Sequence, residues 1–112
     1  MTPVEILEAA KDKISDPKHW TKGANARDVF QDEVTATSPG AKCWCSYGAV
    51  QACGIGGRAE SKAIMYLRSA CFQIAGTSAV SEVNDDQDTA HDDIMTLFDR
   101  AVELAEANNV IP

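Results

Sequence analysis

The chain has 112 residues, 45% of them hydrophobic and 24% charged, with seven Gly and four Pro; this describes one globular domain and excludes a disordered, fibrous or two-domain protein. No apolar run approaches the roughly 18 residues of a membrane span, and Met1 to Ile14 carries charges where an export signal keeps an apolar core, so a cytoplasmic protein without a membrane contact is expected. The net charge of −7 is lopsided: residues 82–112 hold Arg100 alone against nine acids, a local −8, while the rest is near neutral. Such a field repels duplex nucleic acid and attracts basic proteins or cations.

Thr2-Pro3-Val4-Glu5 reads as a capping box with Pro at the first helical position. A short amphipathic helix to about Ile14 follows, with Val4, Leu7, Ala10 and Ile14 at helical spacing. Ser15-Asp16-Pro17 ends it, and Lys18 to Asn25 is an ordered polar loop with one Trp and one Gly. Ala26 to Val34 is expected as a short helix carrying Val29 and Phe30 inward, before Thr35 to Gly40 forms a turn. Ala41 to Cys53 predicts a central helix whose small residues Cys45, Gly48, Ala49, Ala52 and Cys53 share a face and admit a close backbone neighbour. Gly54-Ile55-Gly56-Gly57 terminates it; a phosphate loop needs a Gly-Lys-Ser/Thr ending that is absent here.

Arg58 to Ala75 predicts a long helix on Ile64, Leu67, Cys71 and Ile74, stopped by Gly76, and Ser78 to Val83 a short helical turn. In the last helix Thr89 is the expected cap, Asp92 and Asp93 favour the positive end of the dipole, and Ile94, Leu97, Phe98, Ala101, Val102 and Ala105 form one stripe up to Asn108-Asn109. With no sustained period of two, the expectation is an all-α fold: a compact single-domain bundle of about five helices with ordered polar loops, spanning residues 1–112.

Three constellations carry possible chemistry. Asn84 to Asp93 packs five acids and His91 into ten residues, but lacks the Gly and closing Glu of a calcium loop and reads first as a helix N-terminus. Trp20 to Asp28 sets an aromatic plane, Lys22 and Arg27 beside Gly23, the elements for stacking a base and gripping a phosphate; the alternative is that Trp20 pins the loop to the core and Arg27 pairs with an acid of 85–93. Cys43 or Cys45 could act as a nucleophile with His91 or His19, yet nothing orients such a pair, and the spacing of Cys43, Cys45, Cys53 and Cys71 lacks zinc knuckles; buried, reduced thiols are expected.

The stretches Trp20 to Asp28, Trp44 to Ala49, Val83-Asn84-Asp85 and Thr89 to Asp93 resemble, in order, the motifs of a family of small uncharacterised bacterial and phage proteins. The resemblance implies a phage or mobile-element accessory protein that binds something, and no known reaction. The expected site is one polar surface formed by Trp20, Lys22, Arg27, Asp28, Asn84, Asp85 and His91, without catalytic residues, metal or cofactor. It is expected to take a small anionic ligand, such as a nucleotide signal, or a basic protein partner in a counter-defence role. The alternatives are a metal-assisted hydrolase on Asp85, Asp88 and His91 and a structural homo-oligomer joined through Trp44, Tyr47 or Tyr66.

Overall fold

A computed structural model describes residues 1–54 and 56–109. Five helices dominate it: α1 (Pro3–Lys13), α2 (Ser46–Gly54), α3 (Arg58–Ala75), α4 (Val80–Asp85) and α5 (His91–Asn109). A 3-10 turn over Pro17–His19 precedes three two-residue strands, β1 (Ala26–Arg27), β2 (Glu33–Val34) and β3 (Cys43–Trp44). The fold is therefore mostly α, and the all-α expectation is corrected by this small sheet. Its order is β2-β1-β3 and both pairings are antiparallel, with Ala26 opposite Val34 on one side and Trp44 on the other.

Helix α1 begins as the sequence dictates. Thr2 and Glu5 close a capping box, and the Thr2 N–H donated to Glu5 holds that carboxyl below its ordinary range. Ile6, Leu7 and Ala10 are buried against α2, α3 and α5, and the core continues through Val50, Leu67, Ile94 and Phe98. Gly76 ends α3 in the left-handed conformation, its N–H donating to the Phe72 carbonyl. The predicted α5 stripe is buried at Ile94, Leu97, Phe98, Ala101 and Ala105.

Three local expectations are overturned. Residues 26–34 form a hairpin and not a helix, because the Asp28 carboxylate accepts from the N–H groups of Phe30 and Asp32 and offers the backbone a turn in place of a helical ladder. Val29 and Phe30 consequently lie exposed at its tip. The central helix starts at Ser46 and not Ala41, since Cys43 and Trp44 pair with β1 first; Cys45 then caps it, its sulfur accepting the Gly48 N–H at 3.2 Å and its carbonyl the Ala49 N–H at 2.9 Å. Thr89 does not cap α5: its hydroxyl donates to the Val83 carbonyl, while Asp93 accepts from the Ala90 N–H.

The small-residue face of α2 has the expected consequence. A β-carbon on Gly48 would stand 2.0 Å from the Asn25 carbonyl oxygen, so only glycine lets the loop before β1 lie across the helix. Ile55, in the expected terminator, lies outside the described residues; α2 ends at Gly54 and α3 begins after Gly57.

Candidate functional site

The loop before β1 and the segment from α4 into α5 meet, and Asn84 is the residue that joins them. It is fully buried at the end of α4. Its Oδ1 accepts from Trp20 Nε1 at 2.7 Å and from the backbone N–H and hydroxyl of Ser46 at 3.0 and 3.1 Å. Its Nδ2 donates to the Thr21 carbonyl and to Asp85 Oδ1, both at 3.0 Å. One amide thus satisfies the first N–H of α2, an indole and a loop carbonyl, groups that would otherwise be orphaned away from water.

The neighbouring charges extend the same junction. Lys22 Nζ donates to the carbonyls of Asp86 and Thr89 at 2.6 and 2.8 Å, bracing the α4–α5 connection, and Gly23 N–H donates to Asp85 Oδ1 at 2.8 Å. His91, in the first turn of α5, places Nε2 2.7 Å from the Ile14 carbonyl, which requires the proton on that nitrogen; its ring lies 5.8 Å from that of Trp20 and tilted against it. Trp20, Lys22, Asn84, Asp85 and His91 are therefore brought together as the sequence led one to expect.

Arg27 and Asp28 are directed elsewhere. Arg27 does not pair with an acid of 85–93: Nε donates to the Thr21 hydroxyl at 3.2 Å, and Nη1 and Nη2 donate to the Gln31 and Lys22 carbonyls, both at 3.1 Å. Asp28 serves the hairpin tip. Ser46 and Thr21, which bond directly to Asn84, lacked any charge or aromatic ring to mark them in the sequence.

Trp20, Lys22 and Arg27 all donate to acceptors inside the protein, and among the described residues no buried side-chain nitrogen or oxygen lacks a partner. Among those residues no three acids, histidines or cysteines converge as a metal site would need. The thiols of Cys45, Cys53 and Cys71 are pushed up by burial, which keeps them protonated and poor nucleophiles. What stays open is acidic: Glu82, Asp86, Asp88, Asp92 and Asp93 are all exposed, and no cation among the described residues forms an ion pair with them.

A family model matches residues 1–104. The chain belongs to DUF6197, a family of unknown function. No curated protein and no solved structure matches it. Membership in DUF6197 carries no activity with it, so function has to be argued from the geometry. No described helix is long and apolar enough to cross a membrane.

Proposed function

We propose that the protein is a non-enzymatic binding protein that engages a basic protein partner through the acidic connection between α4 and α5. The observation that carries this reading is the position of Lys22: its ammonium donates to two carbonyls of that connection, Asp86 and Thr89, and leaves the carboxylates of Asp86, Asp88, Asp92 and Asp93 exposed and without an ion pair among the described residues. The loop is braced by a cation while none of its described carboxylates enters an ion pair. A preorganised patch of one sign steers an oppositely charged partner and loses little entropy on binding.

Sequestration of a nucleotide is less well supported, because Trp20 Nε1, two N–H groups of Lys22 and three of Arg27 are already directed to internal acceptors. A hydrolase on Asp85, Asp88 and His91 is less well supported again: Asp85 holds Gly23 and Asn84, and His91 holds Ile14. In the accessory, counter-defence setting that the sequence resemblance suggests, the partner is a basic surface of a host defence protein.

Capture of host proteins on the immobilised chain, compared at ~0.05 and ~0.5 M salt, tests this. A basic protein should be retained by the wild type, released by salt, and lost by the combined Asp86→Asn, Asp88→Asn and Asp92→Asn variant. Identical capture by wild type and variant, or a melting temperature that rises with one nucleotide, refutes it.

A further inference from the structure

The tip of the β1–β2 hairpin holds the most exposed large apolar side chains of the described residues apart from Met1: Phe30 is 80% and Val29 67% exposed. This tip is rigid. The Asp28 N–H donates to the Asp32 carbonyl and the Gln31 N–H to the Asp28 carbonyl, both at 3.0 Å, while the Asp28 carboxylate holds the Phe30 and Asp32 N–H groups at 2.9 and 3.0 Å. Gln31 is the one described non-glycine residue with positive φ, +68°, and Arg27 fixes it by donating to its carbonyl at 3.1 Å. A strained backbone over-determined by its surroundings, with apolar side chains outside it, is a geometry kept for contact and not for the core. Beside the tip the acids Asp28, Asp32 and Glu33 outnumber the cations Arg27 and Lys42, whose backbone N–H donates to the Arg27 carbonyl, and Arg27 directs three of its donors inward.

The outer face of α3 is the converse surface. Met65 and Phe72, two turns apart on the side opposite the buried Ala63, Leu67 and Ala70, are 51% and 62% exposed. With Ile64, Arg68, Ser69 and Ser78 they line a groove of about 550 Å³. Arg58, Lys62 and Arg68 lie exposed on this helix, and its single acid, Glu60, is half-buried with its carboxylate on the Gly56 N–H. An apolar anchor whose rim is net acidic and an apolar groove with a basic rim thus occur on one chain. Phe30, being so exposed, does not fill the groove of its own molecule.

We propose that copies of this chain associate head to tail, with Phe30 and Val29 of one seated between Met65 and Phe72 of the next. Trp44, Tyr47 and Tyr66 are part-buried and are not needed for this contact; Trp44 donates its indole N–H to the Ala36 carbonyl and lies under the Lys13 ammonium. A symmetric contact of two α3 faces would set Arg58, Lys62 and Arg68 against their own copies, whereas tip into groove pairs opposite charges. The contact is heterologous, so it propagates to a ring or a chain.

Sedimentation of the full chain over a concentration series tests this. The weight-average mass should rise above the 12.0 kDa of one chain as concentration rises. Phe30→Asp and Phe72→Asp, both at exposed positions, should each weaken association by at least ~10-fold and leave the melting temperature unchanged. An equal mixture of the two variants should recover a two-chain species and nothing larger, because only one intact tip and one intact groove can meet. The proposal is overturned by a wild type that stays at one chain throughout, by association insensitive to Phe30→Asp, or by a mixture that stays monomeric.

Discussion

Replacing Asn84 by Ala is the most informative perturbation of the junction. It removes an acceptor from Trp20 Nε1 and from the Ser46 N–H, and a donor from the Thr21 carbonyl; the Ser46 hydroxyl can turn and the exposed Asp85 can take water. Each of the three stranded groups costs about 1–3 kcal/mol if nothing replaces its partner. A water entering the space of the lost amide recovers part of that, so the net loss is about 3–5 kcal/mol, a large share of the roughly 5–15 kcal/mol that stabilises a domain. At roughly 4 °C per kcal/mol for a chain of this length, the melting temperature falls by about 12–20 °C. Urea unfolding measures the loss directly. A cycle with Trp20→Phe, which keeps an aromatic ring of smaller size and deletes the N–H, should show a coupling of about 1 kcal/mol or more between the two positions. A loss under about 1 kcal/mol for Asn84→Ala, or strict additivity in the cycle, would refute the reasoning that this amide holds the two segments together.

Three further outcomes concern α2 and the buried thiols. Gly48→Ala should cost at least about 3 kcal/mol in urea unfolding, beyond ordinary overpacking, because the new methyl meets a backbone carbonyl that cannot rotate aside; a tolerated alanine would mean the loop can lift off α2. Cys45→Ala should cost about 1 kcal/mol by removing the acceptor of the Gly48 N–H, and Cys45→Ser much less. With the Cys45, Cys53 and Cys71 thiols raised by burial, the unfolded chain ionises first: their contribution is complete below about pH 8.5 and declines as pH rises from there through the higher folded values. Unfolding midpoints taken at about pH 7 and about pH 9.5 should differ in that direction, and a midpoint that rises with alkalinity contradicts it.

What the sequence made legible is what has a period or a cap. The 3.6-residue stripes of α1, α3 and α5 extend over several turns, Gly76 stands where a left-handed residue is required, and Thr2 with Glu5 marks a start that no other reading explains. The sheet was illegible because each strand is two residues long, too short for any alternation, and its register is set by partners as distant as Ala26 and Trp44. The hairpin lost to a helical reading since Val29 and Phe30 look like core residues when polarity alone is weighed; the competing signal was Asp28 ahead of Gln31-Asp32, a side chain able to tie down its own following N–H groups.

The junction shows a subtler division. The two hydrophilic stretches meet as their charges and polar side chains suggest, but the neutral Asn84 amide joins them, and the partners inside the meeting are not those that charge alone picks out. Lys22 and Arg27 bind carbonyls and not carboxylates. A carbonyl at the end of a helix or in a tight turn must find a donor, whereas an exposed carboxylate is already well served by water, so a cation of limited reach contributes more by going to the carbonyl. Sequence reasoning that pairs charges with charges therefore places the segments correctly and the side chains wrongly. The acids left over are the ones available to a partner, which is why the binding reading rests on Asp86, Asp88 and Asp92 and not on the residues that hold them in place.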